Sequence, residues 1–528
     1  MAEFPVHKAE LERHGYSGTT GAYGGTHRSS SVYEASAMTK LSLATLEDLD
    51  PAIGRPSYAR NDLSVGIVHI GVGNFHRAHQ AVYLDKLFDK GLDLDWAIIG
   101  AGIKPYDADM RSKLKSQDWL STVVELEPNG LHPRITGAMI GFSEIEPASL
   151  LTVLTRPEIR IVSLTITEGG YYVDAQTDGF DVNHPDIQKD IANPGAPETI
   201  FGILISALGL RKDIGLLPFT IMSCDNLPEN GKVAKRALLG LAKELAPDLV
   251  SWIDDQVAFP SGMVDCITPA TTEQVKMLVR EQFGIVDEAP VACEPFRQWV
   301  LEDKFSAGRP RLEEVGVEFV TDVAPYELMK LRILNGGHAA IAYPSALLGF
   351  QAVDEAMADP LISAWLKKLM HSDVIPIIPP SPGIDLEAYL QTCVDRFSNP
   401  AVGDSISRLC TDGSNRQPKF ILPSVTDALQ LGTSMEGLAL EVAFWCRYCA
   451  ATAEGSVNGP LEDIRHEELQ AAARETRTDP SAFLQLGDVF GLLGRNTLFQ
   501  TAFVSAMEAV WENGVHNTLT DYLQKEVA

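Results

Sequence analysis

The sequence is short of three things, and each shortage removes a class of function. Basic charge is the first: 43 Lys and Arg stand against 71 Asp and Glu, a formal net charge of −28. Such a balance repels nucleic acid and anionic membranes and leaves small, neutral partners as the better fit. Long apolar runs are the second. None reaches the roughly 20 residues needed to span a bilayer. The N-terminus has no apolar signal core, and its acids at Glu3, Glu10, Glu12 and Glu34 suit a mitochondrial transit peptide badly. Cysteine is the third: seven, odd in number and scattered, which is no disulfide framework and implies a reducing cytoplasmic setting. Cys446 and Cys449 form a Cys-x-x-Cys in an apolar stretch with no second ligand pair at zinc spacing. Core packing is their expected role, and no metal is expected.

What remains is a chain of 528 residues, 45% hydrophobic and 22% charged, ordinary for a soluble protein of two or more domains. Residues 1–40 are rich in Gly, Ser, Thr and Tyr without hydrophobic periodicity, which predicts a disordered tail. The character then changes. Val65-Gly-Ile-Val-His-Ile reads as a buried strand, followed at once by Gly71-Val-Gly73-Asn74-Phe75-His76-Arg77-Ala-His79-Gln80 and an amphipathic helix. Strand, glycine turn and helix are the parts that hold a dinucleotide pyrophosphate, and His76 and His79 are expected beside it. His76 replaces the third glycine of the usual fingerprint, so an ordinary tight turn is the competing reading. A second buried strand at Trp96–Ala101 supports the fingerprint. No acid ends that strand; Asp107 is the nearest candidate for the adenosine ribose, beside Lys104. The absence of a basic cluster there favours NAD over NADP.

Further apolar runs at 122–126, 159–166, 218–224, 263–267 and 290–293 alternate with helical segments. The alternation predicts an α/β, Rossmann-type domain with a mainly parallel sheet over residues 41–320. From residue 321 to 528 helical periodicity takes over, predicting a mostly α-helical domain for substrate and catalysis. Ligands gather at the carboxyl ends of parallel strands, and those predicted ends carry Thr167–Tyr172, Asn226 and Asp265.

The stretch Pro325–His338 draws the most chemistry into one place. Read as a helix at about 100° per residue, it puts Lys330, Asn335 and His338 within an arc of roughly 140°. The pair Gly336-Gly337 costs about 1 kcal/mol per glycine relative to Ala, so something bulky is expected to approach the backbone there. Hydride transfer from a carbinol needs a base for the hydroxyl proton and donors for the developing alkoxide. Lys330, in an apolar setting that lowers its pKa, fits the base; Asn226 and Asn335 fit the donors, and His338 fits a substrate contact. A solvated lysine, a helix stop and a packed histidine are the bland alternatives. Arg408 and Asp412 are spaced i,i+4, leaving a surface ion pair and a substrate contact both open.

Five blocks in order carry a resemblance: Gly-Val-Gly-Asn-Phe-His-Arg-Ala-His-Gln (71–80), Thr-Glu-Gly-Gly-Tyr-Tyr (167–172), Ser-Cys-Asp-Asn-Leu-Pro-Glu-Asn-Gly (223–231), Phe-Pro-Ser-Gly-Met-Val-Asp (259–265) and Lys-Leu-Arg-Ile-Leu-Asn-Gly-Gly-His (330–338). The chain resembles the polyol-specific long-chain dehydrogenases, in particular their fungal mannitol 2-dehydrogenase group. That resemblance implies metal-independent interconversion of D-mannitol and D-fructose at C2 by a monomer. It also implies catalytic roles for Lys330, Asn226, Asn335 and His338, polyol contacts for Asp265 and Arg408, and a proton route at Glu327. Related enzymes act on arabinitol, sorbitol or hexuronates, and Arg408, Arg416 and Lys419 keep a charged substrate open. A non-catalytic dinucleotide-binding protein is the rival of a different class, disfavoured by the intact Lys330, Asn335 and His338.

Overall fold

The computed structural model describes residues 38–174, 177 and 179–525. The tail expected at 1–40 lies outside the described residues up to residue 37. Thr39 and Lys40 already pair in parallel with Ile285 and Val286, so order begins before the expected boundary.

Five parallel strands form the central sheet: β1 (Val65–Ile70), β2 (Ala97–Ala101), β3 (Met139–Phe142), β4 (Ile161–Leu164) and β5 (Thr220–Ser223), in spatial order β3-β2-β1-β4-β5. All six residues of β1 are buried, as a parallel strand covered on both faces requires. Its side chains alternate between two cores. Val68 and Ile70 join Val162, Leu164, Phe201 and Ile221 on one face, while Ile67 joins Ile98, Leu84 and Phe88 on the other. Burying each such side chain contributes about 1.5–3 kcal/mol. The one polar intruder, His69, is satisfied by Ser163 Oγ at 2.8 Å and Thr165 Oγ1 at 3.0 Å.

The chain leaves β1 through Gly71–Gly73 into two short helices, α1 (Asn74–Ala78) and α2 (Gln80–Asp89). After β2 comes α3 (Pro105–Lys115). A second, three-stranded sheet was not foreseen in full: β6 (Gly262–Asp265) pairs antiparallel with β7 (Gln298–Glu302), which pairs in parallel with β8 (Glu318–Val320). β8 is the last strand among the described residues.

Beyond it the chain is helical. The stretch expected as one helix is three pieces: α4 (Ala324–Met329), a π-helical segment Lys330–Asn335, and α5 (Gly336–Leu348). Further along come α6 (Leu386–Phe397) and α7 (Glu436–Glu454). α7 is apolar around most of its girth and is accordingly the centre of the helical core, with Phe444, Trp445, Cys446 and Cys449 fully buried. All seven cysteines are free and buried. Among the described residues no helix is long and apolar enough to cross a membrane.

Candidate active site

The centre of the site is Lys330, the first residue of the π segment, with only 9% of its surface exposed. Its Nζ donates to Asn226 Oδ1 at 2.9 Å and to the Val264 carbonyl at 2.7 Å. Three elements therefore meet at one amine: the turn after β5, strand β6 and the start of the helical part. Both acceptors are uncharged, and burial outweighs the attraction of Asp265 and Glu327, so the Lys330 pKa is lowered from the ordinary lysine value. Because the Asn226 oxygen is taken by Lys330, its Nδ2 is left to donate elsewhere. The i→i+5 bonding of the π segment takes about 80° per residue rather than 100°. Lys330 and Asn335 thereby come closer to one face than the helical reading placed them.

Asn226 is held by its neighbours rather than by itself. Tyr171 Oη donates to Asp225 Oδ2 at 2.6 Å, and the Asp225 carboxylate also accepts from the backbone N–H of Ile166 at 3.0 Å and Thr167 at 2.9 Å. Buried Asn230 bridges the Asp225 carbonyl at 3.0 Å and the Gly262 carbonyl at 2.8 Å. The Thr167–Tyr172 block, expected at a strand exit, thus braces the turn that carries Asn226.

Asp265, at the end of β6, is 5% exposed and accepts both arms of the Arg396 guanidinium, at 2.8 and 2.9 Å. The adjacent Nε–Nη2 edge of Arg396 binds Glu294, at 2.9 and 2.7 Å, and its plane lies 4.3 Å over Phe296. Burial alone would raise the Asp265 pKa, but Arg396 and Lys330 outweigh it and hold the carboxyl below its usual value. Glu294 is pushed the other way, by burial above all. Arg396 comes from α6, so this triad ties the helical part to the strands.

His338 follows on α5, its ring stacked on Phe397 with centroids 4.2 Å apart. Burial pushes its pKa down to about 3, so the ring is neutral. Arg408 does not pair with Asp412. It forms a two-pronged bond to Asp404, Nε–Oδ1 at 2.6 Å and Nη2–Oδ2 at 2.5 Å, while Asp412 sits at the start of the next helix and bonds Asn415. Glu327, one turn before Lys330, accepts the Glu229 backbone N–H at 3.1–3.2 Å. Its pKa is raised to about 7, burial being the largest cause.

The glycine turn has the geometry its sequence demands. Gly71 has φ +96°, and a Cβ there would lie 2.0 Å from the Thr165 carbonyl oxygen, so only glycine fits. Gly73 opens α1 with nothing but the Gly71 oxygen near, at 3.8 Å. Asn74 ties the turn down, donating to the Pro269 carbonyl at 3.2 Å and accepting from Arg77 at 2.8 Å; Phe75 stacks on His79. The histidines are corrected here. The side chains of His76, Arg77 and His79 are 1%, 2% and 0% exposed, and His76 stacks under the turn on His69 at 3.5 Å. All three are packed inside the fold behind the turn, so these side chains do not line an open site. Asp107 caps α3, its Oδ2 accepting from Ile103 at 3.0 Å and Lys104 at 2.8 Å, which leaves Oδ1 outside those bonds.

Gly337 is also reassigned. A Cβ there would meet Phe397 at 3.3 Å and Leu366 at 3.5 Å, so the bulky group that approaches is the protein's own Phe397, the ring on which His338 stacks. Arg396, Glu294 and Asp404 were not among the site residues read from the sequence, and Tyr171 was read only as part of the Thr167–Tyr172 strand exit. Arg396 had one available signal: an arginine on the apolar face of an amphipathic helix requires a buried partner.

A parallel sheet of this order, with a glycine turn leaving its central strand and a buried lysine where the helical part begins, defines a Rossmann-type oxidoreductase. The chain belongs to the mannitol dehydrogenase family. The family model of the mannitol dehydrogenase Rossmann domain matches residues 65–314, and that of the mannitol dehydrogenase C-terminal domain matches residues 322–511. Among relatives, a mannitol 2-dehydrogenase of Cereibacter sphaeroides is 53% identical, over 89% of this chain and 99% of its own length. One of Aspergillus fumigatus is 42% identical, over 89% and 95%. Of solved structures, Pseudomonas fluorescens mannitol 2-dehydrogenase, in ternary complex with NAD and D-mannitol, is 42% identical at a TM-score of 0.79, covering 92% of this chain and all of its own. A D-sorbitol dehydrogenase in substrate-free form is 34% identical at 0.84, covering 91% and 100%.

Proposed function

We propose that this protein interconverts D-mannitol and D-fructose by hydride transfer at C2, with NAD(H) as cofactor and without a metal. The observation that carries the reading is the buried Lys330 amine held by two uncharged oxygens. Two of its three N–H directions are occupied, which leaves one position on nitrogen to exchange a proton with a substrate hydroxyl. The lowering of its pKa by burial favours the neutral amine, the form that can act as a base. Kinship with mannitol 2-dehydrogenases supports the choice of polyol, and the relative solved with NAD and D-mannitol supports the cofactor.

In oxidation Lys330 takes the C2 hydroxyl proton. Asn226 Nδ2 and the Asn335 amide donate to the oxygen as it gains negative charge, a stabilisation that grows towards the transition state. NAD, when bound, accepts the hydride. Glu327, with its pKa near 7, relays the proton from Lys330 towards solvent. His338, neutral and fixed on Phe397, bonds a substrate hydroxyl, and Asp265, fixed by Arg396, accepts another. Gly71, Gly73, Asn74, Phe75 and the backbone of His76 and Arg77 would hold the pyrophosphate; the Gly71 conformation and the open flank of Gly73 fit that role. Asp107 Oδ1 would meet the adenosine ribose.

The test is a spectrophotometric screen of mannitol, sorbitol, arabinitol and hexuronates with NAD and NADP, run with and without EDTA. The highest kcat/KM is expected for mannitol with NAD, unchanged by chelation. A preference for another substrate or for NADP would overturn the substrate or cofactor assignment. Inactivation by EDTA reversed with zinc would overturn the metal-free chemistry.

A further inference from the structure

Arg408 is the positive charge expected to touch substrate, yet Asp404 already binds it through two parallel hydrogen bonds. The carboxylate is the more enclosed partner, with 13% of its side chain exposed against 55% for Arg408. It is anchored further by the Ser405 backbone N–H at 2.9 Å, and its own carbonyl accepts from Val353 at 3.0 Å. Asp404 also lines the small cavity beside His338, together with Ile267, Arg396 and Phe397. A guanidinium has five N–H donors, and a two-pronged carboxylate takes two. The remainder can still donate to hydroxyl oxygens, but the net charge of the pair is zero.

Next door, Arg396 is matched by Asp265 and Glu294. Arg416 keeps its charge, but its Nη1 donates to the Leu409 carbonyl at 2.8 Å. A carboxylate or phosphate on the sugar would meet Asp404 as a like charge, and the arginine beside it is already matched.

We propose that Asp404 is a specificity-determining residue that neutralises Arg408 and so excludes anionic sugars while leaving Arg408 as a hydroxyl donor for neutral ones. The inference rests on the polyol reading above and on the substrate contact that the family resemblance implies for Arg408. Related enzymes that take hexuronates would, on this view, need an arginine in this region without such a partner.

The test compares reduction of D-fructose and D-fructuronate by NADH in wild type, Asp404→Asn and Asp404→Glu. Asp404→Asn is expected to raise the ratio of kcat/KM for fructuronate over fructose at least tenfold, and Asp404→Glu to keep it within about threefold of wild type. An unchanged ratio in Asp404→Asn, or an equal rise in both variants, overturns the proposal. Should either variant fail to bind NADH, wild type decides it. D-mannonate should then inhibit mannitol oxidation at least tenfold more weakly than a neutral non-substrate hexitol, and equal inhibition overturns it. Absence of fructose reduction in wild type would instead refute the polyol reading itself.

Discussion

Two buried cations flank Asp265, and the protein treats them in opposite ways. Lys330 is bound by an amide oxygen and a backbone carbonyl, so no opposite charge in direct contact offsets the loss of water and its pKa falls. Arg396 is bound by two carboxylates, which outweigh the same loss of water and raise its pKa above an already high value. Burial is similar in both; the charge of the partners decides the outcome. One cation is thereby kept ready to give up its proton and the other is locked charged. The proposed base and the clamp that positions its neighbours are built from one physical rule applied with different ligands.

The sharpest way to break the comparison is to remove the amine. Lys330→Ala is expected to lower turnover by about 10³–10⁴-fold, the upper range for loss of a positioned proton-transfer group, while NADH titration by fluorescence still shows binding. Turnover within tenfold of wild type would mean that the lowered pKa serves no catalytic step. Removing the other cation should strike stability instead. Arg396→Met leaves Asp265 and Glu294 buried, facing each other without their counter-ion, and breaking such a group costs about 3–5 kcal/mol. Urea unfolding should show that loss; a change under about 1 kcal/mol would demote the triad from clamp to incidental contact.

How much of this was legible follows from the range of each interaction. The strand–glycine turn–helix at residues 65–90 is a local pattern, and Gly71 sits where its φ and the nearby Thr165 carbonyl demand glycine. Strands β1, β2, β4 and β5 showed as apolar runs, because every buried parallel strand must be nearly all apolar, whereas the runs at 122–126, 263–267 and 290–293 pair in separate sheets. The short strands β7 and β8 escaped because Gln298, Glu302 and Glu318 make a half-polar pattern that only the pairing with β6 resolves. The π segment escaped for a different reason: Lys-Leu-Arg-Ile-Leu-Asn satisfies a helical period equally well with i→i+4 or i→i+5 bonds. The Arg396 pairs join residues 131 and 102 positions apart, beyond any spacing rule. His76 and His79 misled because spacing records which face residues share, not whether that face looks inward.

The finest test concerns the charge that the two cations share. Burial lowers the Lys330 pKa, the Asp265 carboxylate partly restores it, and Arg396 lowers it again. In Asp265→Asn the restoring charge is gone and Arg396 keeps only Glu294 as counter-ion, so both changes favour neutral Lys330 and its pKa falls further. Oxidation needs the neutral amine, so its rate rises with pH through that pKa. The rising limb of the kcat profile for mannitol oxidation should therefore move to lower pH, by about one unit, the small end of the shift for an opposite charge a few ångströms away. The lost polyol contact acts on KM and on the height of the profile, not on its midpoint. A midpoint that stays put or moves to higher pH would show that the limb reports another group, and Glu327, with its pKa near 7, would be the one to replace next.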